Sequence, residues 1–131
     1  MHGRNKNGVN KMLTECKLAL RVTADAYDAE IMSLLEAGAK DLEIAGVVLP
    51  GTVSHRIDEI APEDPEDDPI LILTDTSTLT DPLCQRALIT YARAHFGSPA
   101  DYDKLVESYE TQKEQLMHAS DYTDYEDGEN E

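Results

Sequence analysis

The sequence predicts an all-α domain: a small four-helix core with a β-hairpin insertion and a disordered acidic C-terminal tail. Three observations predict it. Apolar residues recur at steps of three and four over residues 25–45 and again over residues 102–116, the period of a half-buried helix. Between these segments, Asp81-Pro82 and Gly97 bracket a mostly apolar stretch with the start and stop residues a helix prefers. Residues 119–131 carry acids with no base and no apolar stripe, a composition that cannot offset its own ordering entropy.

Residues 1–11 are polar, basic and rich in Gly and Asn. They read as a non-native or mobile extension, with Met12 as a second candidate start. Residues 12–118 then form the domain. Thr14 is expected to cap a short helix over residues 15–20, and Asp25 to cap the next, with Asp28 adding an acid to its positive first turn. That second helix aligns Tyr27, Ile31, Leu34, Leu35, Gly38, Leu42 and Ala45 on one stripe and leaves Glu30, Lys40 and Glu43 wet. Gly38 costs a helix about 1 kcal/mol relative to Ala, so its expected use is the close approach of another helix. Gly46 ends the helix.

Over residues 47–80 the pattern changes. Pro50-Gly51 marks a turn, residues 53–60 half alternate, residues 62–69 are acidic and residues 70–73 are apolar. This reads as a hairpin with a long acidic tip. The helix after Asp81-Pro82 is apolar almost all round, through Leu83, Cys84, Ala87, Leu88, Ile89, Tyr91, Ala92, Ala94 and Phe96, and so is the expected central helix. Ser98-Pro99-Ala100-Asp101 opens the fourth, with Tyr102, Leu105, Val106, Tyr109 and Leu116 on one stripe and Lys113 and His118 towards its negative end.

Length and composition bound the function. A chain of 131 residues is one domain by size. With no Trp, one Phe and six Tyr, its core must be mainly aliphatic, which disfavours a large ligand pocket. No run approaches the roughly 20 apolar residues of a membrane span, and no leader opens the chain. Cys16 and Cys84 lack any CxxC spacing, so neither a disulfide framework nor a zinc site is expected, and a reducing cytoplasm fits. The formal charge of −16, from 27 acids and 11 bases, argues against phosphate binding as the main activity. Much of the excess lies in residues 58–68 and in the tail.

Sites for chemistry are sparse. His2, His55, His95 and His118 fall in four different elements without a partner at metal-ligand spacing. Cys84 occupies a first helical turn, where a thiol can become nucleophilic, but its apolar surroundings favour a buried filler. The Asp-Gly of the tail is out of register for a calcium loop. No glycine-rich phosphate loop, catalytic Ser/His/Asp order or carboxylate pair is present. No enzyme activity, metal or cofactor is therefore expected. One pattern stands out, a basic stripe of Arg86 and Arg93 with Thr90 between them on the third helix. In so acidic a chain it suits an acidic patch on a neighbour, the alternative being a solvated face. Arg21 has the same standing, and Tyr122 and Tyr125 are candidate anchors should the tail dock onto a partner.

The spacing Lys17, Leu20, Arg21, Val22, Asp25, Asp28, Ile31, Leu34, Leu35, Ala37, Ala39, Leu42 resembles the opening of the head-tail connector (adaptor, or head completion) proteins of tailed bacteriophages. A second match lies at Gln85, Ala87, Leu88, Tyr91 and Phe96. The hairpin region is longer than in that family. The resemblance implies a structural virion protein of the neck, present in the host cytoplasm during assembly. It implies a ring of about twelve copies below the portal protein, closed by heterologous contacts. Such a ring would extend the DNA channel and receive the next neck or tail-completion protein, with no membrane involved. A channel wall sharing the acidic excess would let DNA pass without specific binding. The alternative is a small acidic DNA-mimic inhibitor or antitoxin-like binding protein, which needs carboxylates at phosphate spacing on an ordered surface.

Overall fold

A computed structural model describes residues 12–119 together with Tyr122 and Thr123. The chain runs α1 (Met12–Leu20), a single 3-10 turn (Asp25–Tyr27), α2 (Asp28–Ile44), β1 (His55–Ile60), β2 (Ile70–Asp75), α3 (Pro82–His95) and α4 (Tyr102–Met117). The expected all-α class is therefore corrected to a small mixed α/β protein. Four helices stand beside a two-stranded antiparallel sheet. The hairpin is a regular ladder, with His55 opposite Asp75 and Ile60 opposite Ile70. Its pairing continues below the strands through Ser and Thr. Thr76 and Thr78 N–H groups donate to the Ser54 and Thr52 carbonyls, and the Ser54 and Thr76 hydroxyls lie 2.8 Å apart. These β-branched and hydroxyl-bearing residues extend the hairpin into a stem, a layer of the fold that insertion into a helical core does not describe.

α1 begins at Met12, so Thr14 lies inside it and caps nothing. Its first turn is satisfied from elsewhere: the Leu13 N–H donates to Asp75 Oδ2 at 2.9 Å, at the end of β2. This is a side-chain cap supplied from 62 residues away. Nor does Asp25 cap α2, since no side-chain cap bond is formed at the start of the 3-10 turn or of α2. Lys17 instead claims both acids, at 3.0 Å from Asp25 and 2.7 Å from Asp28. Asp25 is 90% exposed whereas Lys17 and Asp28 are 16% and 20%, so the Asp28 contact is the less screened of the two. Hydrogen bonding to Asp28 and then to Asp25 raises the Lys17 pKa.

α1 and α2 end in the same way. In each, a residue just past the helix donates back five residues, Val22 to Lys17 and Val47 to Leu42, and the residue before it donates back three, Arg21 to Leu18 and Gly46 to Glu43. That motif needs a left-handed residue. Gly46 fills the position in α2, with φ 101°. Arg21 fills it in α1, with φ 60°, the only non-glycine residue at positive φ among those described.

The core gathers Met12, Cys16, Ile31, Met32, Leu35, Leu42, Val47, Leu79, Cys84 and Leu88, all essentially without solvent exposure. α3 lies between α2 and α4 and also touches α1, so its position is central as expected. Against it Gly38 does what its place in the stripe suggests. A Cβ there would stand 3.0 Å from Leu88 Cδ2 and 3.1 Å from the Tyr91 ring. α4 is tied to α2 as well: Tyr109 donates to Asp41 Oδ2 at 2.5 Å, and Lys113 reaches the same oxygen at 3.1 Å. Lys113 thus serves a bridge between helices and His118 ends α4, while Asp101 forms no side-chain cap.

Two stability outcomes follow from this packing. Gly38→Val should destabilise the protein by about 1–3 kcal/mol, the usual cost of overpacking a full interior, measured as a lower urea midpoint with unchanged slope. Arg21→Gly should stabilise it by up to about 1 kcal/mol, because glycine enters the left-handed region without the Cβ clash. An unchanged midpoint for that variant would show that Arg21 bears no strain.

Candidate functional site

Arg86 and Arg93 lie seven residues apart on α3, two turns and about 10.5 Å along the axis. Both are exposed. Neither is paired with an acid among the described residues. Ile89, partly buried, lies between them, and Leu83 is exposed one turn before Arg86. Thr90 does not belong to this face. It is buried with Ala87 and Ala94, and its hydroxyl donates to the Arg86 carbonyl at 3.0 Å. The expected stripe of three residues is corrected to two arginines, because the flank of α3 that carries Thr90 is buried in the fold. Arg21 is exposed at the α1 exit and also lacks an acidic partner among the described residues.

Tyr122 departs most from expectation. Residues from 119 onward were expected to lie outside the fold and Tyr122 to await a partner. Instead its hydroxyl donates to both oxygens of Asp81, at 2.9 and 3.1 Å. Its carbonyl accepts from the Val48 N–H at 2.6 Å, and Thr123 pairs with Val47 across an antiparallel bridge. The same Asp81 carboxylate caps α3 by accepting from the Cys84 N–H at 3.0 Å. Tyr122 therefore fastens the segment after α4 to the start of α3 and the exit of α2. Tyr125 and the other acidic residues of the tail lie outside the described residues.

Other sequence candidates resolve into structural roles. His55 Nδ1 lies 2.7 Å from Glu36 Oε2 and ties the hairpin root to α2. His95 packs between Tyr91 and Tyr102. Cys16 and Cys84 are free, buried thiols, both pushed up to about 12 by burial, with the Asp81 charge adding to the shift at Cys84. Neither is a thiolate at neutral pH, so at Cys84 burial overrides the helix N-terminus. Among the described residues no group of three His, Cys, Asp or Glu is placed to hold a metal, and no helix is long and apolar enough to cross a membrane.

Sequence reasoning missed the hairpin as a surface. Ile57, Ile60, Ile70, Leu71 and Ile72 are all exposed. In this register Ile60, Ile70 and Ile72 share one face with Asp58 and Arg56, while Ile57, Leu71 and Leu73 share the other. The second face borders an open groove of about 430 Å³ whose opposite wall is Asp25, Ala26, Asp28 and Ala29. The signal was present in the run Ile70-Leu71-Ile72-Leu73. Four consecutive apolar residues in one strand of a two-stranded arm must expose one face.

No family model, curated protein or solved structure matches this chain. The site is therefore read from its own geometry. That geometry offers two distinct surfaces: an apolar arm with an acidic tip, and a basic face on α3.

The Tyr122 contact fixes a pH dependence. Burial alone would raise the Asp81 carboxyl, but the Cys84 N–H and the Tyr122 hydroxyl outweigh it and hold Asp81 below the usual carboxylate range. A folded pKa below the unfolded value of about 3.9 means the stabilisation is complete above that pH and is lost as pH falls through the folded value. Tyr122→Phe should cost about 1 kcal/mol, the net worth of one such hydrogen bond, and should speed exchange of the Val48 amide at neutral pH. As pH falls through the folded Asp81 value, the variant and the parent should converge in stability.

Proposed function

We propose that this chain is an assembly subunit, a head-tail connector that joins copies of itself below a phage portal. The hairpin carries this reading. Five large apolar side chains stand exposed on one arm, and a grouped apolar surface of that kind marks a contact with another protein. An isolated two-stranded arm is marginal in water, and burial against a neighbour would complete it.

Two further features support the reading. The residues that carry the resemblance occupy one packed unit: the Lys17 clamp, the left-handed Arg21, the Ile31, Leu35, Ala39 and Leu42 face of α2, and Ala87, Leu88 and Tyr91 of α3. They are the residues that join α1, α2 and α3. The acidic excess also suits a protein that borders packaged DNA, since a wall of like charge repels the genome and lets it slide. The connector would act through shape and charge, with the portal, the next neck protein and further copies of itself as partners.

The direct test is to look for the chain in purified virions of the phage that encodes it. A connector is retained at about a dozen copies per particle, countable by quantitative mass spectrometry, and its absence from virions overturns the proposal. Reversing both arginines, Arg86→Glu with Arg93→Glu, should leave the helical signal and melting temperature within experimental error, because both side chains are exposed and unpaired. The same variant should fail to enter particles. Normal head completion by it would reduce the basic face to a solvated surface.

A further inference from the structure

We infer that the outer face and acidic tip of the hairpin of one copy dock onto the Arg86 and Arg93 face of α3 in the next copy. The inference deepens the assembly reading above by naming which two surfaces meet, and it rests on that reading for its biological setting.

The two surfaces match in both charge and polarity pattern. On the arm, Ile60, Ile70 and Ile72 are 45%, 52% and 42% exposed on one face. Immediately beyond them the tip presents Glu63, Asp64, Glu66, Asp67 and Asp68, none of which is paired with a base among the described residues. The tip turn is held locally, the Glu66 N–H donating to the Asp64 carboxylate and the Asp67 N–H to the Asp64 carbonyl, so the other carboxylates are offered on a defined loop. On α3, the two arginines flank Ile89, and Leu83 at 51% exposure extends the apolar strip. An acidic end beside isoleucines thus faces a basic pair beside Leu83 and Ile89. Arginine suits this contact because its guanidinium can bind a carboxylate through two parallel N–H bonds.

A second copy is the occupant that the charges select. Within one chain the arm springs from the α1 and α2 side, where Asp75 meets Leu13 and His55 meets Glu36. The arginines remain without its acids. The contact is therefore between two different patches, a heterologous arrangement that propagates into a ring or a filament instead of stopping at a dimer. The net charge of −16 opposes association at long range. At physiological ionic strength that repulsion is screened beyond about 8 Å, while arginine and carboxylate in contact lie well inside this distance. Local complementarity then decides the outcome, and association should weaken as salt rises.

The experiment is a charge exchange read by sedimentation velocity at millimolar protein and physiological ionic strength, where the repulsion between copies is screened. The parent chain should associate beyond a dimer. A tip variant (Glu66→Lys, Asp67→Lys, Asp68→Lys) and a stripe variant (Arg86→Glu, Arg93→Glu) should each sediment as monomers, with circular dichroism confirming the fold. Mixed in equal amounts they should associate again, since each acidic surface then meets a basic one on the other species. Damage to folding would not be repaired by mixing. A parent chain that stays monomeric, or a mixture that does, overturns the contact. Recovery on mixing together with absence of the chain from virions would uphold the contact and remove the connector reading; presence in virions without recovery would do the reverse.

Discussion

Because a Cβ at residue 38 would lie 3.0 Å from Leu88 and 3.1 Å from Tyr91, α2 and α3 meet at a separation into which any side chain at this position would have to push those neighbours aside, and the contacts of α4 build on that approach. Tyr91, held against α2, sets its ring edge to Tyr109 with centroids 5.2 Å apart. Tyr109 then reaches back to Asp41 on α2, and Lys113 lies over the Tyr109 ring while bridging to Asp41. The hydrogen bonds from Tyr109 and Lys113 outweigh partial burial and lower the Asp41 pKa. Burial followed by the Asp41 hydrogen bond raises that of Tyr109. One missing methyl group thus allows a three-helix contact whose polar edge is satisfied from within.

The remaining elements are joined by acids that act far from their place in sequence. Asp75 caps α1 from the end of β2, Asp28 takes the lysine of α1, and Asp81 both caps α3 and receives Tyr122. Each bond is of modest strength, about 1–3 kcal/mol where a charged group is involved. Their positions matter more than their sum. They sit where the chain reverses, so they fix the entry of the hairpin, the start of α2 and the placing of Tyr122, and they leave exposed the apolar arm and the Arg86 and Arg93 face of α3. Those open surfaces are the ones an assembly would use. The arm, rooted through the Ser54, Thr76 and Thr78 ladder and the His55 to Glu36 contact, leaves Ile60, Ile70 and Ile72 exposed.

Much of the fold was legible locally. α3 announced itself through Asp81, Pro82 and Gly97, and the stripe of α2 through its period, because capping and amphipathicity are properties of neighbouring residues. Gly38 could be read as a close approach since no other use explains glycine in an apolar stripe. The basic pair Arg86 and Arg93 was likewise visible as two turns of one face, a spacing that helix geometry alone sets. The hairpin was visible too, from Pro50-Gly51 and the alternation that follows. What misled the class assignment was its weight: the sequence marks strands, but not that they pair in register over six residues and continue into a hydroxyl-lined stem.

Tertiary structure decided the rest, and it did so wherever a residue's role depends on a partner distant in the chain. Thr90 looked equivalent to its arginine neighbours until the packing of α3 among the other helices buried it. Asp25 had the signature of a helix cap and Asp28 that of a first-turn acid, yet Lys17 eight and eleven positions earlier takes both. Tyr122 shared the composition of an acidic tail, and only the juxtaposition of Val48 and Asp81 draws it into the fold. Propensity and periodicity act over one or two turns of chain and so set which segments are helix or strand. Which polar group meets which, and which apolar face remains uncovered, depends on contacts between segments, whose loop-closure entropy must be offset by packing that no local pattern records.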